Sequence, residues 1–122
     1  MVKTDITFGY FLLFVNIIML VSGQALFKLG LDKMGGVSLH NTWKALLSPT
    51  IVIGLVLYVV ATLIWFVVLS RLPLSTAYPI QSLAYVLGIF IAAFAFHETV
   101  SITKWFGAII VIIGVALIAF EK

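Results

Sequence analysis

Four stretches of this chain, residues 6–27, 45–70, 72–97 and 105–120, contain no Asp, Glu, Lys or Arg. An α-helix rises 1.5 Å per residue, so about 20 apolar residues cross a hydrocarbon layer ~30 Å thick. Lipid satisfies no backbone polar group, which restricts spanning structures to helices and closed barrels. Four segments are too few strands for a barrel. The expected fold is therefore all-α, a polytopic membrane protein of four transmembrane helices. Composition agrees: 64% of the 122 residues are hydrophobic and only 9% are charged. Mean hydropathy is +1.30, whereas a soluble domain is about 45–50% apolar and about 25% charged.

Local signals place the helices at about 6–27, 50–70, 74–96 and 102–120, in one domain covering 1–122. Ser48-Pro49 supplies an N-cap followed by proline at the first helical position. Arg71-Leu72-Pro73-Leu74 and His97-Glu98-Thr99-Val100-Ser101 are tight connections, with Ser101 capping the last helix. Residues 29–48 form the one long loop. Within it Trp43, Leu46 and Leu47 beside Lys44 suggest a short turn at the membrane interface. Trp65 and Trp105 read as interface markers. Lys3, the apolar run and Ser22-Gly23-Gln24-Ala25 loosely imitate a cleavable signal. The run exceeds a usual signal core and three spans follow, so the first helix is expected to be retained.

Lysine and arginine in short loops normally set orientation. Lys3, Arg71 and Lys122 fall on one face, and Lys28, Lys33, Lys44 and Lys104 on the other. So even a balance points to dual topology, with copies inserted both ways and paired antiparallel. The alternative is one orientation set by something else. The scattered cations, net +3, form no nucleic-acid surface and at most favour anionic headgroups. There is no cysteine, hence no disulfide or thiolate chemistry. The spans hold no carboxylate pair, histidine cluster or nucleophile–base pair, which argues against an enzyme and implies no metal or cofactor. No ionisable residue lies mid-span, which disfavours proton-coupled cation exchange.

What the spans do carry is neutral polarity. Gln24 and Lys28 are four residues apart, on one face of the first helix. Lys28 lies where a long side chain reaches the headgroups. Tyr78, Ser82 and Tyr85 share a face of the third helix, and Gln81, Tyr85 and Gly88 an overlapping one. Such stripes belong against a partner helix or a wet groove rather than lipid. Pro79 removes a backbone donor and frees a carbonyl one turn earlier, a candidate hinge. Gly88 with Ala92, and Gly107 with Gly114, permit close helix approach. Glu98 is expected to pair with Lys104 or Arg71.

The strings W-F-V-V-L-S-R-L-P-L-S-T-A-Y-P-I-Q-S-L and H-E-T-V-S-I-T-K-W-F-G-A-I-I-V-I-I-G-V, with S-G-Q-A-L-F-K in the first helix, resemble the drug/metabolite transporter superfamily in its four-helix form. The resemblance covers nearly all of the chain except 29–48. It extends to small EamA-like and small multidrug resistance proteins, and is strongest to the subunits of the aminoarabinose–undecaprenyl-phosphate flippase. It implies a dimer of four-helix units around a groove with alternating access. The partner would be an inverted copy or a related four-helix chain, and the location a bacterial inner membrane. In small multidrug resistance proteins a first-helix glutamate binds drug cations and protons. The matching position here is Leu20. The resemblance thus implies an undecaprenyl-phosphate-linked sugar or similar anionic lipid as substrate. Gln24, Tyr78, Gln81, Ser82 and Tyr85 would replace headgroup water, and Lys28 and Arg71 would attract phosphate at opposite faces. The alternatives are an exporter of amphipathic cations or metabolites and a non-transporting subunit of a heterodimer.

Overall fold

The computed structural model describes residues 3–121. Lys122 lies outside the described residues, as do the side chains of residues 3–5, so the charge tally at that face stays a sequence count. The chain forms α1 (Lys3–Met34), a 3-10 turn (Thr42–Leu47), α2 (Pro49–Arg71), α3 (Leu74–Gln81), α4 (Leu83–Phe94) and α5 (Ile102–Ala119). α3 and α4 together make one span, so four segments are long and apolar enough to cross a membrane: Ile6–Met34, Pro49–Arg71, Leu74–Phe94 and Ile102–Ala119.

The main departures from the sequence expectation lie in the first and third spans. The first helix continues past residue 27 through Lys28 to Met34, so the loop begins at Gly35 rather than 29. A lysine does not stop a helix, whereas Gly35 and Gly36 do. Their φ values of 80° and 90° suit residues without a Cβ, and Gly36 N–H closes the helix onto Leu31 C=O at 2.9 Å. The 29-residue apolar part of α1 is about 43 Å long, so its charged last turns project beyond the ~30 Å core. The third span is interrupted at Ser82 and ends at Phe94 rather than 96. Pro79 lies inside α3, and the break falls three residues later. There Ser82 N–H bonds Pro79 C=O at 3.0 Å, Tyr85 N–H bonds Ser82 C=O at 2.9 Å, and the Ser82 hydroxyl also donates to Pro79 C=O. The caps read from sequence are present. Ser48 Oγ accepts from Ile51 N–H and Ser101 Oγ from Lys104 N–H, each at 3.4 Å.

α1 and α2 are antiparallel and approach most closely. A Cβ on Gly23 would lie 3.2 Å from Gly54 O; one on Gly54 would lie 3.0 Å from Gly23 O and 2.9 Å from the Phe27 ring. Such overpacking costs about 1–3 kcal/mol. Gly54→Ala is expected to lower stability by that amount in detergent-titrated unfolding followed by circular dichroism. Gly107→Ala, where an added Cβ meets nothing within 4 Å, is expected to stay within about 0.5 kcal/mol of the parent. Gly88 and Gly114 are equally open, so within the chain the anticipated close approach at these glycines is not made. Leu13, Ile17 and Val21 of α1 pack with Val68, Leu72, Ala77, Ile80 and Val115 as the core. Trp65 packs against that core and lies 6.3 Å from the Tyr78 ring, so it is a packing residue rather than a free interface marker. Trp105 meets Phe90 edge-on at 5.1 Å. In the 3-10 turn Trp43, Leu46 and Leu47 are exposed.

Candidate functional site

A groove of about 1030 Å³ runs between α1 and the broken α3–α4 span. Pocket volumes for small molecules are commonly about 300–1,000 Å³, so it has room for a headgroup. Leu20, Gln24 and Lys28 line its α1 wall, and Tyr78, Pro79, Gln81, Ser82 and Tyr85 the facing wall. Gly88 and Ala92 continue that wall toward the mouth, where Glu98 and Lys104 join the lining, and Tyr58 contributes from α2. The break at Ser82 matters here. It turns the chain between two polar turns, so Tyr78 and Gln81 before it and Tyr85 after it all reach one concave surface.

Seven of the eight sequence candidates, Gln24, Lys28, Tyr78, Pro79, Gln81, Ser82 and Tyr85, therefore meet in one groove. Arg71 does not. It ends α2 at the opposite face, with its guanidinium 5.1 Å from the Phe8 ring centroid and its Nε buried without an acceptor. Lys28 is half exposed and pairs with Asp32 at 3.3 Å. Exposed pairs of this kind contribute roughly 0–1 kcal/mol, so an anionic ligand can compete for the ammonium. Glu98 forms no ion pair with Lys104 or Arg71; among the described residues Lys28–Asp32 is the one ion pair found. The expected pairing of Glu98 is thus not observed: Arg71 lies at the other face, and Lys104 shares the groove mouth without forming an ion pair with it.

One residue that supports the site lies behind its lining and is not among the sequence candidates. Asn16 is completely buried. Its Nδ2 donates to Ala61 C=O at 2.7 Å and its Oδ1 accepts from Gln81 Nε2 at 2.9 Å. The amide thus ties α1 to α2 and to α3. It fixes the Gln81 side chain, whose carbonyl oxygen and second N–H remain for the groove. An amide in the middle of an apolar span was the available signal; its partner, 65 positions away, was not visible without tertiary structure. Interhelical hydrogen bonds in membranes contribute about 0.6 kcal/mol on average and at most about 1.7. Asn16→Leu removes two and is expected to lower stability by about 1–3 kcal/mol in the same detergent titration. Asn16→Gln is expected to fail to restore it, since the longer side chain misplaces both contacts.

Comparisons with known proteins give the chain's relatives. The chain is 37% identical over 102 residues to a Pseudomonas fluorescens protein described as "Probable 4-amino-4-deoxy-L-arabinose-phosphoundecaprenol flippase subunit ArnE", covering 82% of this chain and 87% of that one. It is 31% identical over 121 residues to the correspondingly described ArnF subunit of Proteus mirabilis, with 91% of each chain covered. An ArnE subunit of Aeromonas salmonicida is 40% identical over 76 residues, 62% of this chain and 67% of that one. No solved structure matches. The four apolar spans, these relatives and a match to the family model over residues 5–120 together make this chain a multi-pass member of the EamA-like transporter family, a transporter rather than an enzyme.

Proposed function

We propose that the chain is one subunit of a flippase that carries a polyprenyl-phosphate-linked sugar across a bacterial inner membrane. The observation that carries this reading is the groove. Its mid-span polar groups are hydroxyls and amides set among apolar side chains such as Leu20, Val21 and Ile91, its mouth holds Lys28 and Lys104, and among the described residues no carboxylate lines it along the spans. A headgroup crossing bare hydrocarbon loses its hydration at a cost of about 4–8 kcal/mol per unsatisfied polar group. Tyr78, Gln81, Ser82 and Tyr85 offer replacement hydrogen bonds, Gln24 faces them, and Lys28 takes the phosphate. The prenyl chain stays in lipid through the open side. Arg71 lies outside this groove, and its proposed role is to meet phosphate at the opposite membrane face. The break after Pro79 is where the wall would bend as the groove changes its opening. Leu20 lines the groove at a depth where a cation carrier would need a negative charge, which disfavours the exporter alternative.

Tyr78 is 62% and Tyr85 72% exposed, which in a lone chain would set two phenols against hydrocarbon. Two chains facing one another would enclose them. The relatives are described as subunits, which supports a heterodimer with a related four-helix chain; the lysine balance leaves room for an inverted copy instead. The test is photo-crosslinking with a short polyprenyl phosphate sugar bearing a diazirine beside the phosphate. The expected result is labelling confined to peptides carrying Gln24–Lys28 and Tyr78–Tyr85. Labelling spread over the outer face of α5 would contradict it.

A further inference from the structure

The mouth of the groove holds one feature that a carrier of a purely anionic headgroup would be better without. Glu98 lines it beside Lys28 and Lys104, the one acidic residue in that lining among the described residues. Its position is built in. Past α4 the chain turns at His97, which has a φ of 55°. Glu98 N–H then bonds back to Ala92 C=O at 2.9 Å. A non-glycine residue in the left-handed region costs roughly 1 kcal/mol, yet the turn presents the next side chain at the groove. That carboxylate is exposed and forms no ion pair among the described residues. A free carboxylate there repels phosphate, unless the headgroup also brings a cation.

We infer that Glu98 binds a cationic amine on the sugar, making the groove mouth selective for zwitterionic headgroups: phosphate to the lysines, ammonium to Glu98. This rests on the flippase reading and deepens it by naming the residue that distinguishes an aminated sugar from a neutral one. The amino-sugar phosphates in the descriptions of the similar proteins have this charge pattern. An ammonium–carboxylate contact at a partly wet mouth is strong enough to discriminate, whereas a hydroxyl in its place makes only a neutral hydrogen bond to Glu98.

The test uses the full chain in lipid nanodiscs, with binding followed by the fluorescence of Trp105, next to Lys104. The two probes are short-chain polyprenyl phosphates carrying 4-amino-4-deoxy-L-arabinose or L-arabinose. Wild type is expected to bind the amino lipid at least tenfold tighter. Glu98→Gln is expected to weaken the amino lipid alone and bring the two within about twofold, while Glu98→Asp retains part of the preference. Equal binding of both lipids by wild type would overturn the inference. So would a preference that survives Glu98→Gln, or a loss for both lipids alike, which would mark a structural role. If wild type bound neither lipid, the flippase reading itself would fall.

Discussion

Leu20→Glu is expected to reduce transport of a polyprenyl-phosphate sugar about 30-fold at pH 8, with recovery as the pH is lowered. Leu20 lines the groove one turn from Gln24, so the substitution puts a carboxylate where the phosphate passes. Two like charges ~8 Å apart at an effective dielectric of about 20 repel by about 2 kcal/mol, and ~1.4 kcal/mol is a factor of ten in rate. The sign with pH is fixed by which form carries charge. Above its pKa the new carboxylate is an anion and repels phosphate; protonation below it neutralises the group and removes the repulsion. Leu20→Gln, similar in size but uncharged, is expected to transport within a few-fold of wild type at every pH. Measurement is the initial rate of lipid translocation in proteoliposomes at pH 5, 6.5 and 8. Equal rates for Leu20→Glu and Leu20→Gln at pH 8 would show that the phosphate does not pass this position.

Lys28→Ala is expected to lower apparent affinity for the same lipid about 10- to 100-fold. A hydrogen bond between charged groups contributes about 1.5–3 kcal/mol, and the ammonium's present partner, Asp32, holds it only through a half-exposed contact. Loss of that contact scarcely affects the fold, so the variant reports on ligand rather than on stability. Lys28→Arg keeps the charge and is expected to retain most of the affinity. Lys33→Ala, also in the projecting end of α1 but absent from the groove lining, is expected to leave it unchanged. Both affinities can be read from the fluorescence titration in nanodiscs. Parallel losses in Lys28→Ala and Lys33→Ala would indicate a general surface potential instead of a phosphate contact.

Why these two residues were accessible from sequence, and others were not, follows from the physics of each. Spans announce themselves because charge is costly in hydrocarbon, and Ser48 and Ser101 because a helix start needs an acceptor for its free N–H groups. Helix stops are a different matter. Lys28 marks the end of the uncharged stretch, but the backbone stops where Gly35 and Gly36 permit positive φ, so a boundary drawn by polarity fell short. At Pro79 the missing donor was legible. The resulting break at Ser82 was not, because it depends on how the freed turn is re-bonded. Stripe arithmetic on a single helix gathered Tyr78, Ser82 and Tyr85, which the structure places along one groove. Arg71 was expected at the opposite face from Lys28, and the antiparallel α1–α2 pair places it there. Asn16 and Glu98 acquire meaning only from neighbours distant in sequence.

The central claim is that this groove moves a lipid-linked sugar, and translocation in reconstituted vesicles tests it most directly. The chain, alone and with a related four-helix partner, would be placed in liposomes loaded with polyprenyl-phosphate-linked 4-amino-4-deoxy-L-arabinose. Inner- and outer-leaflet lipid would be distinguished by an amine reagent that does not cross the bilayer. The account predicts a protein-dependent rise in the rate at which inner-leaflet lipid becomes reactive, suppressed by Leu20→Glu at pH 8. A rate equal to that of protein-free vesicles in both preparations, with the fold shown intact, would contradict it.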